Sequence, residues 1–141
     1  RRMQPIRGVA VELFVVDGAL SVNELAVRPH NSGHHTIDAC VTSQFENHLR
    51  AVADLPLGDP SLRSPVAMVN VIGRDDRDPA DRLHAAMSLE PGARIHLYGK
   101  SPRHDRKLGH VTVCDDDVDR AAARAWRVVA ALGGQKAGTG V

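Results

Sequence analysis

Residues 8–40 read GVAVELFVVDGALSVNELAVRPHNSGHHTIDAC. Residues 8–16 are rich in β-branched side chains and read as a strand. Asp17-Gly18 is a turn signal, and residues 20–26 read as the returning strand of a hairpin. Each strand carries one acid, Glu12 and Glu24. A glutamate in a run as apolar as VAVELFVV is costly if buried without a partner, so one reading points both acids at solvent. Register sets the alternative. A two-residue turn pairs Glu12 with Asn23 and leaves the acids on opposite faces. A three-residue loop, Asp17-Gly18-Ala19, puts Glu12 directly opposite Glu24. Opposed like charges repel unless a cation lies between them, and Mg²⁺ shared with phosphate oxygens would remove the penalty. Loop length is thus expected to decide between two solvated acids and a metal site, and the sequence leaves both open.

The loop that follows holds Arg28, His30, Asn31, Ser32 and His34, broken by Pro29 and Gly33. Arginine offers a planar fork to a carboxylate, bicarbonate or phosphate. Asn, Ser and neutral His add short directional hydrogen bonds, and Gly33 lets backbone approach a ligand. The set suits a small planar anion beside a metal-bound phosphate. Zinc through His30, His34 and His35 is a competing reading, but Pro29 and Gly33 oppose a regular helix and no cysteine pair completes such a site. A polar loop with incidental histidines is the third.

The remainder bounds the fold. The 141 residues suffice for one domain or two small ones. At 43% hydrophobic but 3% aromatic, the core must be built from Val, Leu, Ala and Ile. A formal charge of +1 gives no global field to attract nucleic acid or an anionic membrane. No apolar run approaches the ~18 residues of a transmembrane helix, and RRMQPIRG at the start lacks a secretory apolar stretch; a cytoplasmic location is expected. Cys40 and Cys114 are read as reduced thiols. Ser43 and Glu46 form a capping-box pattern for a helix over 43–55, with Phe45, Leu49 and Val52 on one face. Residues 56–65 are a turn-rich connector and the expected domain boundary. Strands are expected at 66–72, 93–98 and 108–114, with a helix at about 80–88 after a solvated run, RDDRDPADR. A last helix at about 117–132 has Asp115 to Asp117 at its start, Gly133-Gly134 at its end, and an apolar stripe of Val118, Ala122, Ala125, Val129 and Leu132. From about residue 135 the tail is expected to be disordered.

In order and spacing, residues 11–59, with VAMVNVIG, ARIHLYGK and RKLGHVTV, resemble the N5-carboxyaminoimidazole ribonucleotide synthases (PurK type) of the ATP-grasp superfamily. RPHNSGH followed by SQFENHLRA is the most specific part. The related formate-using glycinamide ribonucleotide transformylases have Asp-Thr-Gly-Met where this chain has Asn31-Ser32-Gly33-His34, so the match favours the bicarbonate-using family. The resemblance implies an α+β chain. Residues 1–56 would be the terminal part of an ATP-grasp domain, and 57–141 a small β-rich C-terminal domain closed by a helix. It implies a ligase that joins bicarbonate to 5-aminoimidazole ribonucleotide at the expense of ATP, through carboxyphosphate. Glu12 and Glu24 would hold Mg²⁺, or Mn²⁺ in its place, against the ATP phosphates, with Asn31 beside them. Arg28, His30 and Asn31, with Ser32, would surround bicarbonate. Lys100 would reach the same pocket, and Arg106 and Lys107 would take the ribonucleotide phosphate. Family members often dimerise, and their product passes to a mutase.

Departures accompany the match. Val27 stands in place of a usual proline, His35 in place of a tryptophan, and His104-Asp105 in place of a Pro-Gly turn before Arg106. A full synthase also carries a Rossmann-like domain and the first part of the ATP-grasp domain. The expectation is therefore a C-terminal portion, inactive by itself, with an open sheet edge. A non-catalytic remnant or an assembly module is the rival from another class.

Overall fold

Asp17 and Gly18 reverse the chain with φ of 51° and 79°, the double left-handed geometry that matches strand twist in a two-residue hairpin. They join β1 (Ala10–Val16) to β2 (Ala19–Ala26) in an antiparallel pair. The computed structural model describes residues 8–135. It shows both strands and helices, an α+β chain, and separates into two compact units between Arg63 and Ser64.

In the first unit the hairpin is followed by a 3₁₀ turn (Asn31–Gly33), a short helix α1 (Thr36–Ala39) and α2 (Gln44–Val52). The stretch read as plain loop therefore contains two helical turns. Ser43 caps α2 as its spacing predicts, its Oγ accepting from the Glu46 N–H at 3.1 Å. The Glu46 carboxylate turns away from the cap to Arg50, 3.0 Å from its Nε. Phe45, Leu49 and Val52, read as sharing one helical face, are 37%, 67% and 58% exposed, and α2 has no buried residue. After α2, Leu62 bridges back to Cys40 and Arg63 N–H donates to the Ala39 carbonyl, which ties residues 57–63 to α1.

The second unit is a four-stranded antiparallel sheet in the order β4-β5-β3-β6, from β3 (Val66–Gly73), β4 (Arg94–Leu97), β5 (Lys107–Cys114) and β6 (Gly134–Gln135). A 3₁₀ turn at Pro79–Arg82 takes the first turn of the helix expected at 80–88 and leads into α3 (Leu83–Leu89). α4 (Val118–Ala131), capped by Asp117, crosses one face of β3 and β5. Val69, Val71, Val111 and Val113 from the sheet meet Ala125, Val128, Val129 and Leu132, a core of small aliphatics as composition requires. The α4 stripe is rotated from the expected one. Ala121 and Val128 are buried, whereas Val118 is 53% exposed, because the helix settles on the residues that match the sheet's valine ridge. Gln135 pairs with Ile72 in β6. The rest of the tail read as disordered, residues 136–141, lies outside the described residues, as do residues 1–7.

Candidate active site

Neither register read from loop length is the one adopted. The turn has two residues, yet Glu12 faces Glu24, because the pairing shifts between Glu12 and Leu13: Leu13 pairs with Val22, and Asn23 is the extra residue. This β-bulge, a device that re-aims side chains, puts both acids on one face. Asn23 Nδ2 then donates to Glu12 Oε1 at 2.6 Å.

The two carboxylates converge on one ring. His30 Nε2 lies 3.4 Å from Glu12 Oε2 and 3.5 Å from Glu24 Oε1, and Arg28 Nη2 lies 3.6 Å from Glu24 Oε1. His30 is 8% exposed. Its Nδ1 accepts from the Ser32 backbone N–H and sits 2.8 Å from Ser32 Oγ. A backbone N–H can only donate, so the ring proton is on Nε2, facing the acids. Asn31 opens the 3₁₀ turn, and its Oδ1 is buried with no hydrogen-bond partner. His34 and His35 serve the loop: His34 Nδ1 meets Gln44 Nε2 at 2.8 Å, and His35 Nδ1 meets the Ser32 carbonyl at 2.9 Å. The three rings thus point to different partners, which removes the arrangement a zinc site needs. Among the described residues no group of three or more His, Cys, Asp or Glu side chains is arranged to hold a metal ion.

Mg²⁺ asks for less. It binds through one or two carboxylates and completes an octahedron with water and phosphate oxygens. Two convergent carboxylates and an orphaned amide oxygen are hard donors of the right kind.

Lys100, Arg106 and Lys107 belong to the second unit. Lys100 is exposed, its Nζ 5.2 Å from the Tyr98 ring centroid, a cation–π distance. Tyr98 Oη lies 2.7 Å from Nδ1 of His110, which stacks on His96, and burial pushes the Tyr98 hydroxyl pKa up. Arg106 Nη1 donates to the Ser101 carbonyl at 3.1 Å. The His104-Asp105 replacement is accommodated by a left-handed Asp105, φ 58°, whose carboxylate accepts from Gln135 Nε2 at 2.7 Å. Lys107 is the half-buried first residue of β5.

Sequence reading named Asn23 only as a cross-strand partner of Glu12, without the bulge, and missed Gln44 and the Tyr98–His110 pair. Only the last left a signal: His96 and Tyr98, and His110 and Thr112, alternate in apolar strands.

Two family models match. Residues 66–124 fit the phosphoribosylaminoimidazole carboxylase C-terminal domain, and residues 5–45 the ATP-grasp domain. The N5-carboxyaminoimidazole ribonucleotide synthase of Mycobacterium tuberculosis is 54% identical over 123 residues, 83% of this chain and 28% of that relative. The chain thus spans under a third of that relative's length. The crystal structure of the Thermotoga maritima synthetase superposes with a TM-score of 0.72 at 46% identity, over 85% of this chain and 34% of that one. An Aspergillus clavatus synthase solved with ADP and 5-aminoimidazole ribonucleotide gives a TM-score of 0.74 at 37% identity, over 87% and 34%. With both domain models matched in order and identity this high, the chain belongs to the N5-carboxyaminoimidazole ribonucleotide synthase family, of which it carries the C-terminal portion.

Proposed function

We propose that this chain supplies the Mg²⁺ and bicarbonate end of an ATP-dependent carboxylation of 5-aminoimidazole ribonucleotide, a step of purine biosynthesis. One observation carries the reading: a bulge at Asn23 brings Glu12 and Glu24 face to face beside His30 and Arg28. Nothing in strand packing calls for two opposed carboxylates, and metal binding does.

In this reading Glu12 and Glu24 would hold the ion, and the unpartnered Asn31 Oδ1 would be a further candidate donor. The ion, when bound, offsets the charge of the ATP phosphates and of the phosphoryl group in transit. Arg28 and His30 Nε2–H orient bicarbonate so that one of its oxygens attacks the γ-phosphorus and ADP leaves. The exocyclic amine then forms its bond to the carboxyl carbon of carboxyphosphate, the carbon–oxygen bond to phosphate breaks, and the phosphate departs with the proton the amine gives up. Ser32 fixes the His30 tautomer, Lys100 adds positive charge, and Arg106 and Lys107 take the ribonucleotide phosphate. Donors in fixed positions account for the catalysis. Residues up to Arg63 act as the end of the ATP-grasp domain and those from Ser64 onward as the C-terminal domain, the expected boundary at 56/57 moving to the split between the compact units. A homodimer, a mutase that consumes the product, and a cytoplasmic location complete the proposal.

The test is a chimera in which this chain replaces the matching segment of the M. tuberculosis relative. With ¹³C-bicarbonate, ATP and the ribonucleotide, label should enter a carbamate carbon bonded to nitrogen. Label that stays in bicarbonate refutes the reading.

A second reading, a non-catalytic assembly module, is favoured by the hairpin surface, where Val15, Leu20 and Leu25 are 72%, 69% and 66% exposed. A chimera that assembles but transfers no label would support it.

A further inference from the structure

We propose that Gln44 is the positioning residue of the His30 loop, holding it in its binding shape through one amide. The proposal rests on the anion-loop reading above for the purpose of that shape.

Gln44 is the first residue of α2, directly after the capping Ser43, and its backbone N–H donates to Thr36 Oγ1 at 2.9 Å. The amide therefore projects from a fixed base. Its Oε1 accepts from the His30 N–H at 3.0 Å, and its Nε2 donates to the His30 carbonyl at 2.7 Å. Both backbone groups of His30 are taken by one side chain, as a neighbouring strand would take them. These two bonds leave no freedom in which end of the amide is oxygen. The second Nε2 hydrogen then meets His34 Nδ1 at 2.8 Å, so Nδ1 accepts and the His34 ring proton is on Nε2.

Gly33 belongs to the same device. A Cβ at residue 33 would lie 2.5 Å from Gln44 Oε1 and 2.8 Å from Gln44 Cδ. A free side-chain end would swing clear at little cost. Here swinging clear breaks three hydrogen bonds, so the glycine is required for space.

The arrangement makes His30 independent of any ligand for its orientation. With its backbone clamped by Gln44 and its Nδ1 by Ser32, the Nε2–H is presented to Glu12 and Glu24 in advance. Preorganisation of this kind lowers the cost of binding.

Gln44→Glu tests the proposal on the 141-residue chain. The carboxylate keeps the acceptor for the His30 N–H and has no hydrogen to give to His34 Nδ1. Long-range ¹H–¹⁵N spectra should show His34 Nδ1 unprotonated in the wild type and protonated in the variant, where it donates to the new carboxylate. An unchanged His34 tautomer in a folded variant overturns the proposal. If the variant unfolds, a double-mutant cycle decides. Gly33→Ala should lower the thermal midpoint alone and cost nothing further when combined with Gln44→Ala; additive losses overturn the proposal. Bicarbonate titrated against the His30 signals should bind about tenfold more weakly in Gln44→Glu, the scale of supporting-shell losses at metal sites. A wild type blind to bicarbonate whose His34 still switches refutes the anion reading and supports Gln44 as the loop's positioning residue.

Discussion

Glu12, Glu24 and His30 show how far single residues can be read. Two acids in apolar strands were conspicuous because a buried, unpaired carboxylate is so unfavourable, and the anion-binding character of residues 28–34 followed from their chemistry. Their meeting point was not legible. Asp17-Gly18 specifies a two-residue turn, and that turn alone sends the acids to opposite faces; one extra residue, Asn23, reverses the outcome. A bulge leaves no mark in composition, since it is set by which side chains the fold needs aligned. Gln44 was hidden for a similar reason, being an ordinary helix residue whose partners lie 10 and 14 positions away. Glu24→Gln, which keeps shape and removes the charge, should lower turnover of the chimera at least ~10²-fold, the cost of one lost transition-state stabiliser, while circular dichroism stays unchanged.

Among elements, α2 and α4 present similar apolar stripes and differ in what meets them. Leu132 is 1% exposed in the second unit's core, and Leu49 is 67% exposed. Leu132→Ala should cost about 3 kcal/mol in denaturant unfolding, and Leu49→Ala less than ~0.5 kcal/mol. Sequence periodicity locates a stripe without saying what covers it. At the hairpin turn, Gly18 has φ 79° and open space around its missing Cβ, so Gly18→Ala should destabilise by about 1 kcal/mol through backbone strain alone. The end of β5 carries an ion network that was not legible from order along the chain. Arg124 pairs with Glu90, 3.0 Å from Nε to Oε2, and with Asp115, which Arg120 also holds at 2.6 Å through Nε. The Arg124 guanidinium holds the Glu90 carboxyl below its usual 4.5, and the Arg120 and Arg124 guanidinia hold Asp115 far below 3.8. Depressed carboxyl pKa values contribute stability above the unfolded values and lose it as pH falls through the folded ones. Arg124→Met should therefore lower the thermal midpoint at pH 7, and its deficit relative to wild type should shrink as pH drops below about 4.

At the scale of the molecule, the candidate residues are shared between two units: Glu12, Glu24 and residues 28–32 in the first, Lys100, Arg106 and Lys107 in the second. The second unit has a closed valine and alanine core. The first exposes Val11, Leu13, Phe14, Val15, Val16, Leu20, Val22 and Leu25 along its hairpin, more contiguous apolar surface than a stable monomer usually leaves open. Residues 8–63 should accordingly bind the dye ANS strongly, and residues 64–141 weakly; equal binding would contradict this. The proposed chemistry draws on residues beyond these units, since the chain spans 28% of its mycobacterial relative. The most direct test is ADP release by the chimera with that relative. ADP formation should require both bicarbonate and 5-aminoimidazole ribonucleotide and should collapse in Glu24→Gln. ADP release that ignores the ribonucleotide, or persists at the wild-type rate in Glu24→Gln, would contradict the proposed chemistry.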